Sequence, residues 1–286
     1  ACAEDFNNDG WQDLIVFHRG GEDCTGEAIG AFPGAVEEDV TGAGHRMLLN
    51  NEGLSFEQDA NRSGLNAVPI DGRVGVMGSQ IGDLNADGVL DVYVGNGGPL
   101  AGEIDQLFVS ATTPGEPIGY IDASALVNFP APDGGDGDAM PSYPYRTHGT
   151  AFVDIDGDGV LELAVSNGGP SFRPDTVREP NRMFQFDWTT PRRWLTLDLA
   201  GDGVHVSRDA IGTRARLVGT QPDGMPLSIW RTVHGGSCFS AHNGFQLYFG
   251  LEHAETIDRI EIFWPDGTTR VINEGLIAGA RIAESY

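Results

Sequence analysis

The chain has no lysine. Its 17 cations are all arginine, they face 42 Asp and Glu, and the formal net charge is −25 over 286 residues. A surface this acidic repels nucleic-acid phosphates and lacks the basic patch that draws anionic lipid, so nucleic acid is excluded as a partner class. Long apolar runs are missing too: no stretch nears the ~18 residues of a membrane-spanning helix. Cysteine is scarce, with only Cys2, Cys24 and Cys238, too few for a disulfide scaffold. One bridge plus one thiol, for instance Cys2 with Cys24, fits that count, and so do three thiols. Aromatic residues are 9%, and Trp11, Trp188, Trp194, Trp230 and Trp264 read as core or strand residues rather than a sugar platform. The chain opens at Ala1 without methionine or a signal peptide, which predicts either a removed leader or a longer precursor.

Glycine is what the sequence has in excess, at 41 residues, which favours turns and works against long helices. No amphipathic helix of convincing length is found. Charge is uneven: residues 1–145 hold 24 acids and 4 Arg, residues 146–286 hold 18 acids and 13 Arg. That asymmetry predicts two regions with different jobs.

Three segments repeat. They are Asp5-Phe-Asn-Asn-Asp-Gly-Trp-Gln-Asp13, Asp83-Leu-Asn-Ala-Asp-Gly-Val-Leu-Asp91 and Asp154-Ile-Asp-Gly-Asp-Gly-Val-Leu-Glu162. Their starts stand 78 and 71 residues apart. Each is followed by a β-branched run, and the last two share a downstream Asn-Gly-Gly-Pro turn at 96–99 and 167–170. The pattern is strand, loop, strand, with a further short strand at Arg46–Leu49, Gln106–Val109 and Arg182–Gln185. Repeats longer than ~40 residues built on short strands point to propeller-like architectures.

A hard cation such as Ca2+ takes six to eight oxygens. Side chains at loop positions one, three, five and nine, with the carbonyl at seven, can wrap one ion, and the glycine at six permits the turn. The candidate ligands are Asp5, Asn7, Asp9, the Trp11 carbonyl and Asp13; Asp83, Asn85, Asp87, the Val89 carbonyl and Asp91; and Asp154, Asp156, Asp158, the Val160 carbonyl and Glu162. About three Ca2+ per chain are therefore expected. An EF-hand is ruled out, because position twelve is Val16, Val94 or Val165 rather than Glu and the flanks are strands. The bland alternative is an acidic turn whose Asp side chains only bond the backbone, and three copies at one spacing weigh against it. Magnesium and zinc suit this crowded all-oxygen set less well. Glu162 has a longer arm than the Asp at the same place in the other two loops, which predicts altered denticity in the third.

From Arg193 onward short strands alternate with Gly-rich or Asp-Gly turns: Trp194–Leu199, Arg214–Val218, Leu227–Thr232, Phe245–Phe249, Arg259–Phe263 and Thr269–Ile272. This predicts a small β-sandwich or barrel. Arg208-Asp209 reads as a buried structural pair, with a ligand clamp as the alternative. His234 and His242 lie near Ser237, Cys238 and Ser240 in sequence, but proximity shows neither a base in reach nor an oxyanion pocket. No catalytic residue is assigned.

The three acidic segments resemble the FG-GAP/VCBS repeats of calcium-binding β-propellers, the fold of the integrin α-chain head. His148-Gly149 and Asn181-Arg182-Met183-Phe184 match bacterial versions of that repeat, and the resemblance covers residues 1–190. Residues 191–286 resemble the ASPIC/UnbV domain in the runs Trp194–Leu197, Ser207–Arg214, Gly235–Ser240, Leu247–Leu251 and Ile262–Gly267. The pairing is similar to the cartilage acidic protein group, which includes many secreted bacterial members. The resemblance implies an all-β, secreted or cell-surface protein: calcium-loop repeats of β-propeller type, then a small β domain. Family propellers have about seven blades, and three blades cannot close a ring. Preceding blades, other strands or a second copy must complete it, so self-association through unclosed β edges is expected.

The function expected is extracellular recognition, adhesion or assembly with structural Ca2+, toward a protein or glycan partner. The alternatives are a calcium-dependent, cyclase-like enzyme of a natural-product pathway and a glycan-binding lectin-like propeller.

Overall fold

A computed structural model of the chain describes residues 1–17, 45–58, 64–65, 75–98, 101–111, 118–127, 145–168, 179–188, 193–236, 241–254 and 256–286. These residues form an all-β, propeller-like arrangement of five small sheets. The one helical turn among them is the 3-10 segment Ser124–Leu126.

Each acidic segment joins two antiparallel strands. The first sheet runs in the order β1 (Cys2–Glu4), β2 (Asp13–Val16), β3 (Arg46–Asn51), β4 (Ser55–Gln58). The second contains β5 (Val76–Gly82), β6 (Asp91–Gly98), β8 (Gln106–Ser110) and β9 (Tyr120–Asp122), with the short β7 (Ala101–Gly102) paired to the end of β6. The third holds β10 (Thr147–Val153), β11 (Glu162–Asn167) and β12 (Arg182–Phe184). Eight-residue loops therefore link β1 to β2, β5 to β6 and β10 to β11, and the ninth residue of each repeat, Asp13, Asp91 or Glu162, opens the following strand.

The middle sheet explains a run that period-two alternation alone would not. Successive side chains of a strand point to opposite faces. On β6, Val92 and Val94 enter a core shared with the first sheet, beside Ile15, Met47 and Phe108. Tyr93, between them, enters a second core shared with the third sheet, beside Leu107, Leu163 and Phe184. A sheet covered on both faces needs apolar residues at every position. Each fully buried side chain of this kind contributes about 1.5–3 kcal/mol of transfer free energy.

The remaining strands form two sheets around one core. One is ordered β16 (Leu247–Glu252), β13 (Arg193–Ala200), β19 (Ala280–Ser285); the other is β15 (Pro226–Thr232), β14 (Arg214–Thr220), β17 (Thr256–Phe263), β18 (Thr269–Ile272). Leu195, Leu197, Leu217, Ile229, Phe249, Ile260 and Ile262 meet between them. Ile260 and Ile262 are fully buried, the face that the alternation in β17 predicts.

Several expectations shift. The strand expected from Phe245, β16, begins at Leu247. The sequence reading missed β4, β9 and β19. Arg208 and Asp209 are both exposed, so they form no buried pair. Cys24, Cys238, Ser237 and Ser240 lie outside the described residues, as do Pro99, Gly169 and Pro170; Cys2 Sγ stands 3.8 Å from Ser79 Oγ.

Candidate metal centre

The three loops share one backbone shape. Positive φ recurs at position four, in Asn8 (58°), Ala86 (53°) and Gly157 (78°), and at position six, in Gly10 (97°), Gly88 (89°) and Gly159 (84°). Asparagine and glycine enter the left-handed region readily, whereas Ala86 does so at a cost of about 1–2 kcal/mol. The first aspartate closes each turn. Asp5 accepts the N–H of Asp9 and of Gly10 at 3.0 and 2.8 Å. Asp83 accepts those of Asp87 and Gly88, both at 3.0 Å. Asp154 accepts those of Gly157 and Gly159 at 2.7 and 3.2 Å. The fifth-position Asp9, Asp87 and Asp158 each accept the N–H two residues on, from Trp11, Val89 and Val160 at 2.8 Å. In the first two loops the amides of Asn7 and Asn85 also donate to Asp9 and Asp87 at 2.9 Å.

Position nine separates the loops. Asp13 accepts Phe6 N–H on one oxygen and Asn50 N–H, from β3, on the other, at 3.0 and 2.8 Å. Asp91 accepts Leu84 N–H on one oxygen and Ser110 N–H, from β8, on the other, at 2.7 and 2.6 Å. In both, the carboxylate staples the loop to the next strand of its sheet. Glu162 accepts Ile155 N–H at 2.9 Å on one oxygen, and its other oxygen, Oε1, is buried without a hydrogen-bond partner. Asp154, Asp156 and Glu162 each present one carboxylate oxygen, all within 4.8 Å of one another. An acidic cluster alone is common on protein surfaces. A buried carboxylate oxygen left unsatisfied on a member of that cluster is not, because an unmet buried acceptor is costly. The set is all oxygen, the donor class of Ca2+.

The electrostatics agree. Burial pushes the Asp5 carboxyl up to about 7, with Asp9 and Asp13 adding to the effect against the Gly10 N–H and Arg214. Burial raises Asp13 to about 6 despite the Asn50 and Phe6 N–H groups. Asp91 is driven well above the usual carboxylate range by burial and by Asp87 and Asp83. Burial also raises Glu162, with Asp156, Asp158 and Asp154 contributing. Burial is the main cause in each case, and the neighbouring carboxylates add to it.

The C-terminal sheets rest on all three loops, which the sequence reading did not anticipate. At the first, Trp230 N–H donates to Asn8 Oδ1 at 2.9 Å, Arg214 donates to the Gly10 carbonyl at 2.8 Å and approaches Asp5 at 3.7 Å. Arg214 also lies over the Trp230 ring at 4.5 Å. At the second, Arg231 pairs with Asp83 at 3.1 Å and donates to the Gly88 carbonyl at 3.2 Å. Gly250 N–H donates to Asp83 and Glu252 N–H to the Ala86 carbonyl, at 3.0 and 2.9 Å. At the third, Trp194 covers Gly159 so closely that any Cβ there would collide with the indole. A signal for Arg231 was present: Leu227, Ile229, Arg231 and Val233 alternate onto the buried face, and an arginine in that row needs a buried anion.

A cavity of about 840 Å³ opens between β1, β5, β10 and the end of β15, lined by Gln80, Phe152, Asn243 and Phe245 among others. Within it His234 stands 2.7 Å from Glu4. Burial alone would lower the imidazole pKa, and the Glu4 carboxylate turns the net shift upward.

The family described as ASPIC and UnbV matches residues 203–281, from the turn before β14 into β19. Cartilage acidic protein 1 of Xenopus tropicalis is 30% identical over 138 residues, covering 46% of this chain. The chain spans under a fifth of the length of that curated relative, 18%. No described helix is long and apolar enough to cross a membrane.

Proposed function

We propose that this chain is part of an extracellular calcium-binding recognition or assembly protein, in which Ca2+ staples the acidic β-hairpin loops. The observation that carries the reading is Glu162 Oε1, buried and unpartnered beside Asp154 and Asp156. In the third loop Asp154, Asp156 and Glu162 would hold the ion, with Asp158 and the Val160 carbonyl completing the set. By the shared loop shape, Asp5, Asn7, Asp9, the Trp11 carbonyl and Asp13 would hold a second, and Asp83, Asn85, Asp87, the Val89 carbonyl and Asp91 a third. The ion would supply positive charge and oxygen coordination; the chain supplies a preformed turn and strands that keep the acids together. The likeness to a protein named for cartilage and acidity supports an extracellular setting, where free Ca2+ is plentiful enough for weak sites.

The test is a metal count on the purified chain after EDTA treatment and calcium return, with thermal melts in both states. About three ions per chain and a calcium-specific rise in Tm are expected. An ion at 100 times its Kd adds about 2.7 kcal/mol. A chain that binds no calcium and melts identically in EDTA overturns the reading.

A further inference from the structure

Two polar side chains on the walls of the 840 Å³ cavity are spent on the walls themselves. Gln80 donates to the Thr150 carbonyl at 2.9 Å and accepts Ile81 N–H at 3.3 Å. Asn243 accepts Phe152 N–H at 2.8 Å and donates to the Ile81 carbonyl at 2.9 Å. Glu4, the last residue of β1, is different. Its Oε1 faces His234 Nε2 at 2.7 Å, while its Oε2 is buried with no hydrogen-bond partner among the described residues. An unmet buried acceptor is costly, and the cost is removed by anything that enters and donates to it. The charged side chains on the walls point the same way. Arg231 is matched by Asp83 at 3.1 Å and Arg281 by Asp198. His234 matches Glu4 only while its ring holds a second proton, and Asp154 adds a further negative charge to the lining. The unspent atom is therefore an acceptor and the unspent charge is negative. Around them Phe17, Val76, Phe152, Leu161 and Phe245 make apolar wall, and the volume lies in the range of organic-ligand sites.

We propose that this cavity binds an organic amine with an apolar body, the protonated nitrogen donating to Glu4 Oε2 and the body lying against Phe152 and Phe245. An ammonium group supplies both what the oxygen lacks and the charge the cavity lacks. A hydroxyl supplies only the donor, and a carboxylate supplies neither. Hydrogen bonds between ionised partners are about twice as strong as neutral ones, so the amine is preferred over a neutral ligand of the same shape. The inference goes beyond the calcium reading and uses no bound ion.

Three fluorescent probes of one shape test it on the full chain, in physiological salt with calcium present throughout. Dansylcadaverine ends in an ammonium, N-hexyl dansylamide in a methyl group and dansyl-6-aminohexanoate in a carboxylate. Saturable binding, read as a rise and blue shift of dansyl emission, is expected to be at least tenfold tighter for the ammonium probe than for the methyl probe, and weakest for the carboxylate. Glu4→Gln keeps the side chain's shape and removes its charge, so the ammonium and methyl probes should then bind within twofold of each other. Phe245→Ala removes apolar wall and leaves Glu4 in place, so it should weaken both probes by a similar factor and preserve the margin between them. That second variant keeps the test open if Glu4→Gln melts before it can be titrated. A parent that binds none of the probes leaves Oε2 to water and overturns the site. An ammonium probe that binds no better than the methyl probe overturns the amine assignment. A margin that survives Glu4→Gln, or affinities untouched by Phe245→Ala, would place the probe elsewhere on the acidic surface and overturn the proposal as well.

Discussion

The second and third loops share a spacing and a backbone shape, yet they resolve the same charge differently. In the second, both oxygens of Asp91 are taken by N–H groups and Asp83 is clamped by Arg231, Gly88 and Gly250. In the third, Asp156 replaces asparagine, Glu162 replaces aspartate, and one oxygen is left over. The comparison teaches that nine residues specify a turn, while the surface packed on that turn specifies how wet, how charged and how exchangeable it is.

The largest test of the contrast is Asp83→Ala. It leaves the Arg231 guanidinium buried without its anion, and a loss of about 3–5 kcal/mol is expected in urea unfolding. The equivalent change in the third loop, Asp154→Ala, strands no buried arginine and should cost much less. Next is a glycine pair inside the third loop. Gly157 and Gly159 have φ of 78° and 84°, so Gly157→Ala and Gly159→Ala share a left-handed penalty of about 1–2 kcal/mol. Only Gly159→Ala also drives a methyl into Trp194, which should add about 1–3 kcal/mol. Equal losses would show that Trp194 does not rest on this loop.

Glu162→Gln should act on metal rather than on the fold. The bound-calcium count is expected to fall by one, the calcium-induced gain in Tm to shrink, and the melt in EDTA to stay level or rise, because a buried orphan carboxylate has been neutralised. The smallest effect concerns a carboxyl away from the loops. Asp105 accepts hydrogen bonds from Tyr93, Thr147 and the Asn96 N–H, and burial still raises it to about 7. Its folded pKa lies above its unfolded value of ~3.9, so its contribution to stability is full below about pH 4 and is lost as pH rises through about 7. Asp105→Asn should flatten the part of the Tm–pH curve between those limits.

Much of this was legible because it is local. The loops announce themselves through alternate oxygen-bearing side chains and a glycine at position six, and β2, β3, β8, β14 and β18 follow from apolar runs ending in turn residues. Glu162 could be singled out by its length alone. What stayed hidden depends on distant partners. The pairing of Asp83 with Arg231 spans 148 residues, and no spacing rule reaches that far. β19 escaped because its exposed and half-buried residues alternate without a strong apolar face. The Tyr93–Asp105–Thr147 network was missed because a single aspartate before a strand reads as an ordinary turn. The family likeness supplied the order of the parts but not which surfaces touch.

One feature of the C-terminal sheets bears on mechanics. β13 opens this region and β19 nearly ends the chain, and they lie side by side in parallel, matched from Leu195 with Ala280 to Ala200 with Ser285. A pull applied where the chain enters β13 and where it leaves β19 draws the two strands in opposite directions along their length. All six matched pairs then bear the tension together, in shear, instead of opening one after another like a zip. Such a fastening resists sudden load, and its lifetime under force is set by the unfolding rate rather than by equilibrium stability.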